Sequence, residues 1–288
     1  MADRDRTVAM ELDVLLTAQA RMPKGYAFRE GGNPLTRVAG VLRPGREVLD
    51  IPCLAYAVHH PAGTILIDTG MHPDASGNLR RDFGAAMGLL FRSLRPAHEP
   101  FDQQLRAVGV EPGEVERVIM THLHVDHTSG MRLLPRAEFT CAREEWAATR
   151  GRFAAGKGYV PHHLPSESRM RLVDFEADGE PHGAFSSTVD LLGDGSIRLI
   201  STPGHTAGHL SVLLRLDEGR QVLVVGDAAY TLRSLEEEIL PLVTTDDGAS
   251  RRSLRELRAF SEQEPEAVLV PSHDPTAWQE LHRTGASA

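Results

Sequence analysis

The run Thr121-His122-Leu123-His124-Val125-Asp126-His127 packs four metal-ligating side chains into six residues, directly after the apolar stretch Val118-Ile119-Met120. Chance does not gather ligand-type residues this densely on a solvated surface, and the position is that of the end of a buried strand. In an extended segment successive side chains alternate faces. His122 and His124 therefore point the same way, and a turn after Val125 brings Asp126 and His127 to a second point nearby. One short loop can then serve two metal ions. Imidazole nitrogen and carboxylate oxygen suit zinc and its first-row neighbours, whereas the absence of thiolate argues against an iron–sulfur cluster. A purely structural zinc site is the competing reading. Such sites are closed by four ligands and rich in Cys, while this cluster has four ligands without Cys and further candidates follow downstream.

With 288 residues, 41% of them hydrophobic, the chain can bury a sizeable core, and we read residues 1–288 as a single domain. The 31 basic residues against 40 acidic ones give a net charge of −9, with no basic block. That balance disfavours nucleic acid as a partner. Cys53 and Cys141 are too few for a disulfide framework, and no charged-then-apolar leader opens the sequence. The longest apolar stretches, such as Gln221 to Gly226, are far too short to span a bilayer, so a cytoplasmic protein without a membrane partner is expected.

Short β-type runs recur at Thr64 to Ile67, Arg117 to Met120, Glu138 to Thr140, Ile197 to Ile200, Leu210 to Leu214, Val222 to Val225 and Ala267 to Val270. Helical periodicity is clearest from Ser250 to Glu262, where Leu254, Leu257 and Phe260 share one face behind a serine-rich cap. The class is α with β. Ile65-Leu66-Ile67 runs into Asp68-Thr69-Gly70, and Leu223-Val224-Val225 runs into Gly226-Asp227, as if two halves repeated one plan. Two segments, Met71 to Pro100 and Gly151 to Ser196, read as excursions that shape a pocket, although Phe83 to Leu94 also fits an amphipathic helix packed on the core. His59, His60, His162 and His163 read as solvated loop histidines.

A two-metal centre needs more ligands than the first cluster holds. His205 after Thr202-Pro203-Gly204, Asp227 after Val225-Gly226 and His273 after Val270-Pro271-Ser272 each follow a candidate strand, where a rigid sheet can aim them. Together with Asp68-Thr69-Gly70, these motifs resemble the metallo-β-lactamase superfamily, in order, from about residue 40 to 280. The resemblance implies an α+β fold, a four-layer αββα sandwich with a dinuclear metal site at one edge. It implies His122, His124 and His205 at one metal, Asp126, His127 and His273 at the other, and Asp227 between them. Asp68 and His209 would orient ligands from behind. True β-lactamases of the common di-zinc kind carry Cys where this chain has Asp227, so antibiotic hydrolysis is disfavoured.

The segment Asp227-Ala228-Ala229-Tyr230-Thr231 and the pair His273-Asp274 are similar to the lactonase branch, namely the N-acyl-homoserine lactonases and 4-pyridoxolactonases. That resemblance implies a lactone hydrolase using two divalent ions, zinc first, with Fe, Co or Mn as alternatives. N-acyl-homoserine lactones, hence quorum quenching, lead over a 4-pyridoxolactone-type substrate, because Met87, Leu89, Leu90 and Phe91 offer an acyl chain apolar contact. A metal-activated hydroxide would attack the carbonyl, Tyr230 would stabilise the oxyanion and Asp126 would shuttle the proton. A thioesterase or an iron-dependent sulfur oxygenase of the same superfamily remains an alternative. The resemblance also leaves a homodimer open.

Overall fold

The computed structural model describes residues 10–29, 31, 36, 45, 47–90 and 93–283. Strand alternation decides its layers. Along β2 (Val48–His60), Leu54, Tyr56 and Val58 join one apolar cluster while Ala55 and Ala57 join another on the opposite face, so the strand is covered on both sides. The same split divides Ile65 and Ile67 from Leu66 in β3 (Gly63–Ile67), and Val222 and Val224 from Leu223 and Val225 in β12 (Gln221–Gly226).

Among the described residues the first sheet has seven strands in the order β4-β1-β2-β3-β5-β6-β7. Beside β2 and β3 it holds β1 (Glu11–Pro23), β4 (Arg95–Pro96), β5 (Arg117–Ile119), β6 (Glu138–Ala142) and β7 (Met170–Val173). The second sheet has six in the order β13-β12-β11-β10-β9-β8, adding β8 (Glu180–His182), β9 (Phe185–Asp190), β10 (Ile197–Ser201), β11 (Leu210–Arg215) and β13 (Val268–Pro271). β3, β5, β6 and β7 run parallel, as do β12 and β13. Parallel neighbours need long crossovers, and helices on the outer faces supply them. Phe101, Leu105 and Trp146 cover the first sheet, and the helix Asp247–Gln263 covers the second with Leu254, Leu257 and Phe260. The order helix, sheet, sheet, helix is the expected four-layer sandwich.

The predicted strands recur within a residue or two. The helix expected from Ser250 starts earlier, at Asp247, because the Asp246 carboxylate accepts the Ala249 amide at 2.9 Å and is a better cap than a serine-rich turn. β1 and β2 were not anticipated. Within 151–196, β7, β8 and β9 belong to the two sheets. The helix Leu79–Leu90 is broken at Gly84, whose φ of 79° is left-handed, and Phe83 is buried. The side chains of Met87, Leu89 and Leu90, and all of Phe91, lie outside the described residues.

Three of the four histidines expected in solvent are not there. His59 and His60 belong to β2, whose hairpin with β3 extends to the pair His60↔Gly63. His59 Nε2 meets Asp13 at 2.7 Å, and His60 is buried with Nε2 3.3 Å from Ser196 Oγ. His163 is buried as well, and His162 is half exposed. Polar partners, invisible in the local sequence, make these burials tolerable. Among the described residues no helix is long and apolar enough to cross a membrane.

Candidate metal centre

Strands from both sheets end at one edge of the sandwich, and all seven expected ligand residues meet there. The chain leaves β5 through Thr121, whose amide and hydroxyl donate to the two oxygens of Asp68 at 2.8 and 2.7 Å. Asp68 follows β3 with a left-handed φ of 56°, a strained conformation that these bonds offset. His122 and His124 then lead into the helical turn Val125–Thr128, which carries Asp126 and His127. From the second sheet, His205 follows β10, Asp227 follows β12 and His273 follows β13. Ligand atoms group within 4.8 Å as His122, His124 and His205; as His122, His127 and Asp227; and as Asp126, His127 and His273.

Hydrogen bonds behind the imidazoles fix which nitrogen faces the site. Thr121 Oγ1 gives its proton to Asp68, so 3.2 Å from His122 Nδ1 it accepts one, and His122 Nε2 keeps a lone pair. His127 Nδ1 donates to Asp68 at 2.8 Å, and His273 Nδ1 donates to the Pro52 carbonyl at 3.1 Å. That carbonyl is available because β2 pairs with β3 only from Tyr56 onward. The freed Nε2 atoms of His127 and His273 lie 3.4 Å from Asp227 oxygens, and His273 Nε2 lies 3.6 Å from Asp126 Oδ2. His122 Nε2 and Asp227 Oδ1 are buried without a hydrogen-bond partner. Lone pairs converging on buried carboxylates repel unless cations lie between them. His124 Nδ1 and His205 Nε2 stand 3.0 Å apart, near the ~3.3 Å between neighbouring ligands on a tetrahedral ion with ~2.0 Å bonds. The residues present fit two divalent ions.

Charge in this edge is distributed accordingly. Burial, then the neighbouring histidine His127, holds His122 well below the ordinary imidazole range, and burial likewise depresses His205 and His124. These imidazoles are neutral, as ligands must be. Burial opposes ionisation of Asp227, yet His273, His127 and His122 outweigh it and keep the carboxyl well below its usual range. His127 and His273 are pulled upward against burial by Asp68, Asp126 and Asp227, which marks them as the places where positive charge is most wanted.

Asp68 sits behind His127, its Oδ2 2.8 Å from the ring Nδ1. His209, whose pKa burial lowers to about 3, takes the Asp227 amide on Nε2 at 2.9 Å and donates from Nδ1 to Thr202 Oγ1 at 2.8 Å. Gly226, with a φ of 65°, makes this approach: a Cβ there would stand 2.6 Å from His209 Nε2. Asp274 does not face the site. Its carboxylate takes the amides of Leu232, Thr276 and Ala277 and so caps two helix starts.

Sequence reasoning missed Glu145. Fully buried at the start of the helix Arg143–Ala148, it accepts the Leu123 amide at 2.9 Å and the Gly208 amide at 3.2 Å, joining the loop of His122 and His124 to that of His205. Its segment Arg-Glu-Glu-Trp resembles any surface helix start, and no local signal reveals the burial. Tyr26 was missed too. Its ring stacks on Tyr230 at 6.4 Å, and its hydroxyl, desolvated and near Asp126, is raised to about 12.

A cavity of about 460 Å³ opens over the cluster. Asp126, Asp227 and Tyr230 line its floor, Ala20, Met22, Ile51 and Val243 form apolar walls, and Arg21 and Lys157 also border it. The size is that of a small-molecule site. Tyr230 is buried, with its ring 5.1 Å from that of His273 and 5.7 Å from that of His205. Burial, then Tyr26, raises its hydroxyl well above the ordinary phenol range, so it stays a proton donor.

Sandwich, edge cluster and cavity define a metal-dependent hydrolase scaffold, and the model of the Metallo-beta-lactamase superfamily matches residues 48–273. The chain belongs to that superfamily. Within it, the chain is similar to proteins named N-acyl homoserine lactonases. N-acyl homoserine lactonase AttM of Agrobacterium fabrum is 34% identical over 235 residues, 80% of this chain and 84% of the relative. N-acyl homoserine lactonase AiiA of Bacillus thuringiensis subsp. kurstaki is 25% identical over 237 residues, 82% and 86% of the two chains. The solved N-acyl homoserine lactone hydrolase with N-hexanoyl-L-homoserine at its catalytic metal center shares the fold, with a TM-score of 0.73 at 21% identity over 95% of this chain and 96% of that one.

Proposed function

We propose that this protein is a dinuclear metal-dependent lactonase that opens N-acyl homoserine lactones. The observation that carries the reading is Tyr230: a buried, un-ionised phenol on the floor of an apolar-walled cavity, beside the convergent ligands. Relatives named N-acyl homoserine lactonases at 25–34% identity support the same substrate class. His122, His124 and His205 would hold one ion and Asp126, His127 and His273 the other, with Asp227 available to both. Two divalent ions, zinc first, supply an activated water near neutral pH and polarise the ester carbonyl when bound.

The chain's own residues do the rest. Tyr230 donates a hydrogen bond to the carbonyl oxygen as negative charge grows there, which stabilises the transition state more than the substrate. Asp126 moves a proton from the attacking water to the departing ring oxygen. Met22, Ile51 and Val243 receive the acyl chain by excluding water from it.

Metal quantification followed by a pH-indicator assay on short-chain, long-chain and aromatic lactones tests the reading. Two ions per chain and preferential turnover of N-acyl homoserine lactones are expected. Metal-loaded protein that turns over aromatic lactones alone would move it to the pyridoxolactone type, and no lactone turnover would end it.

A further inference from the structure

Away from the dinuclear centre, Asp82, His162 and His163 bring three more ligand atoms within 4.8 Å of one another. Asp82 and His163 are buried, and His162 forms the half-exposed rim. The tautomer of His163 follows from its neighbour. Thr128 Oγ1 donates to the His124 carbonyl at 3.1 Å, so at 3.1 Å from His163 Nδ1 it can only accept, and the ring proton sits on Nδ1. In the neutral ring His163 Nε2 is then a lone pair; the atom is buried, without a hydrogen-bond partner, and aimed at Asp82 Oδ2 from 3.4 Å. His162 Nε2 stands 3.9 Å from Asp82 Oδ1.

Two electron-rich atoms held face to face in a buried site repel unless a cation lies between them. A separation of 3.4 Å matches the ~3.3 Å between neighbouring ligands on a tetrahedral ion with ~2.0 Å bonds. Asp82 is also braced as ligating carboxylates are: Ser129 Oγ donates to Oδ2 at 2.8 Å and Arg132 Nη2 to Oδ1 at 2.6 Å. The Arg132 guanidinium opposes a second cation, so this place fills after the dinuclear centre.

We propose that Asp82, His162 and His163 form a separate, mononuclear site for a zinc-type divalent cation, with water at the fourth position on the His162 side. Two imidazoles and one carboxylate with an open position are a recurrent zinc donor set. Occupied, the site fastens the helix Leu79–Leu90 and the turn at His163 to Thr128 and Ser129, just beyond His127. The inference does not depend on the lactonase reading.

Protein stripped by chelation and titrated with zinc alone, by equilibrium dialysis with elemental analysis, tests it. Three equivalents are expected, two tight and one weaker. His162→Ala, altering a half-exposed side chain, should weaken only the third by at least about 100-fold and leave turnover at two equivalents unchanged. His122→Ala should impair the dinuclear centre and keep the third ion. Cobalt in place of zinc should give a visible band for this site that His162→Ala and Asp82→Asn both remove. Saturation of the wild type at two equivalents overturns the proposal. A third equivalent that survives both variants overturns it as well. Fewer than two tight equivalents would count instead against the dinuclear reading.

Discussion

Glu145→Gln preserves the shape of the side chain and removes one of its two acceptors. In the native structure each carboxylate oxygen takes one amide, from Leu123 at 2.9 Å and Gly208 at 3.2 Å, with the side chain fully buried. Glutamine offers one oxygen, so one amide must face an NH₂ group. Losing a charge-assisted bond costs about 1.5–3 kcal/mol and stranding a buried donor about 1–3 kcal/mol. Relief from burying a charge offsets part, leaving a net loss of about 2–4 kcal/mol. Because the two loops carry His122, His124 and His205, affinity for metal should also fall about 10–100-fold, as it does when groups supporting ligands are removed. Urea unfolding of stripped and metal-loaded protein, with affinities from competition against a chromophoric chelator, separates the two effects. The variant should lose more stability with metal than without. Equal losses in both forms, at unchanged metal affinity, would refute the idea that this carboxylate sets the ligand loops.

Tyr230→Phe should reduce kcat by about 10²-fold while metal content stays at wild-type level, and by the same factor from pH 7 to 9, since the hydroxyl stays protonated throughout; full activity would remove Tyr230 from the reaction. Asp126→Asn should lower both turnover and bound metal, read by lactone hydrolysis and elemental analysis. Gly226→Ala places a side chain at a φ of 65° and a Cβ 2.6 Å from His209 Nε2, so it should cost at least about 1–2 kcal/mol in urea unfolding and weaken metal binding. Leu257→Ala, at a fully buried position remote from the metals, should cost about 2–5 kcal/mol in the same experiment with bound metal unchanged.

The convergence of these seven residues was legible because their signals are local: each follows an apolar run, and four crowd into one short stretch. The second layer was legible only in part. Asp68 and His209 could be assigned through motifs, but Glu145 acts through backbone amides distant in sequence, and nothing in Arg143 to Trp146 distinguishes it from a solvated helix start. β1 and β2 were hidden by polar residues whose partners come from elsewhere, such as Asp13 against His59, and by Pro52, which a central strand ordinarily excludes. The exposed character assigned to His60 and His163 failed for the same reason: burial of a histidine is decided by a partner such as Ser196 or Thr128, far away along the chain.

Of the seven converging side chains, four hang from the first sheet and three from the second. Ions shared among them would act as rivets across the seam of the sandwich. Cohesion and chemistry are therefore not separately adjustable, and a substitution deep in the interlayer, nowhere near the substrate, will be felt first as a leak of metal.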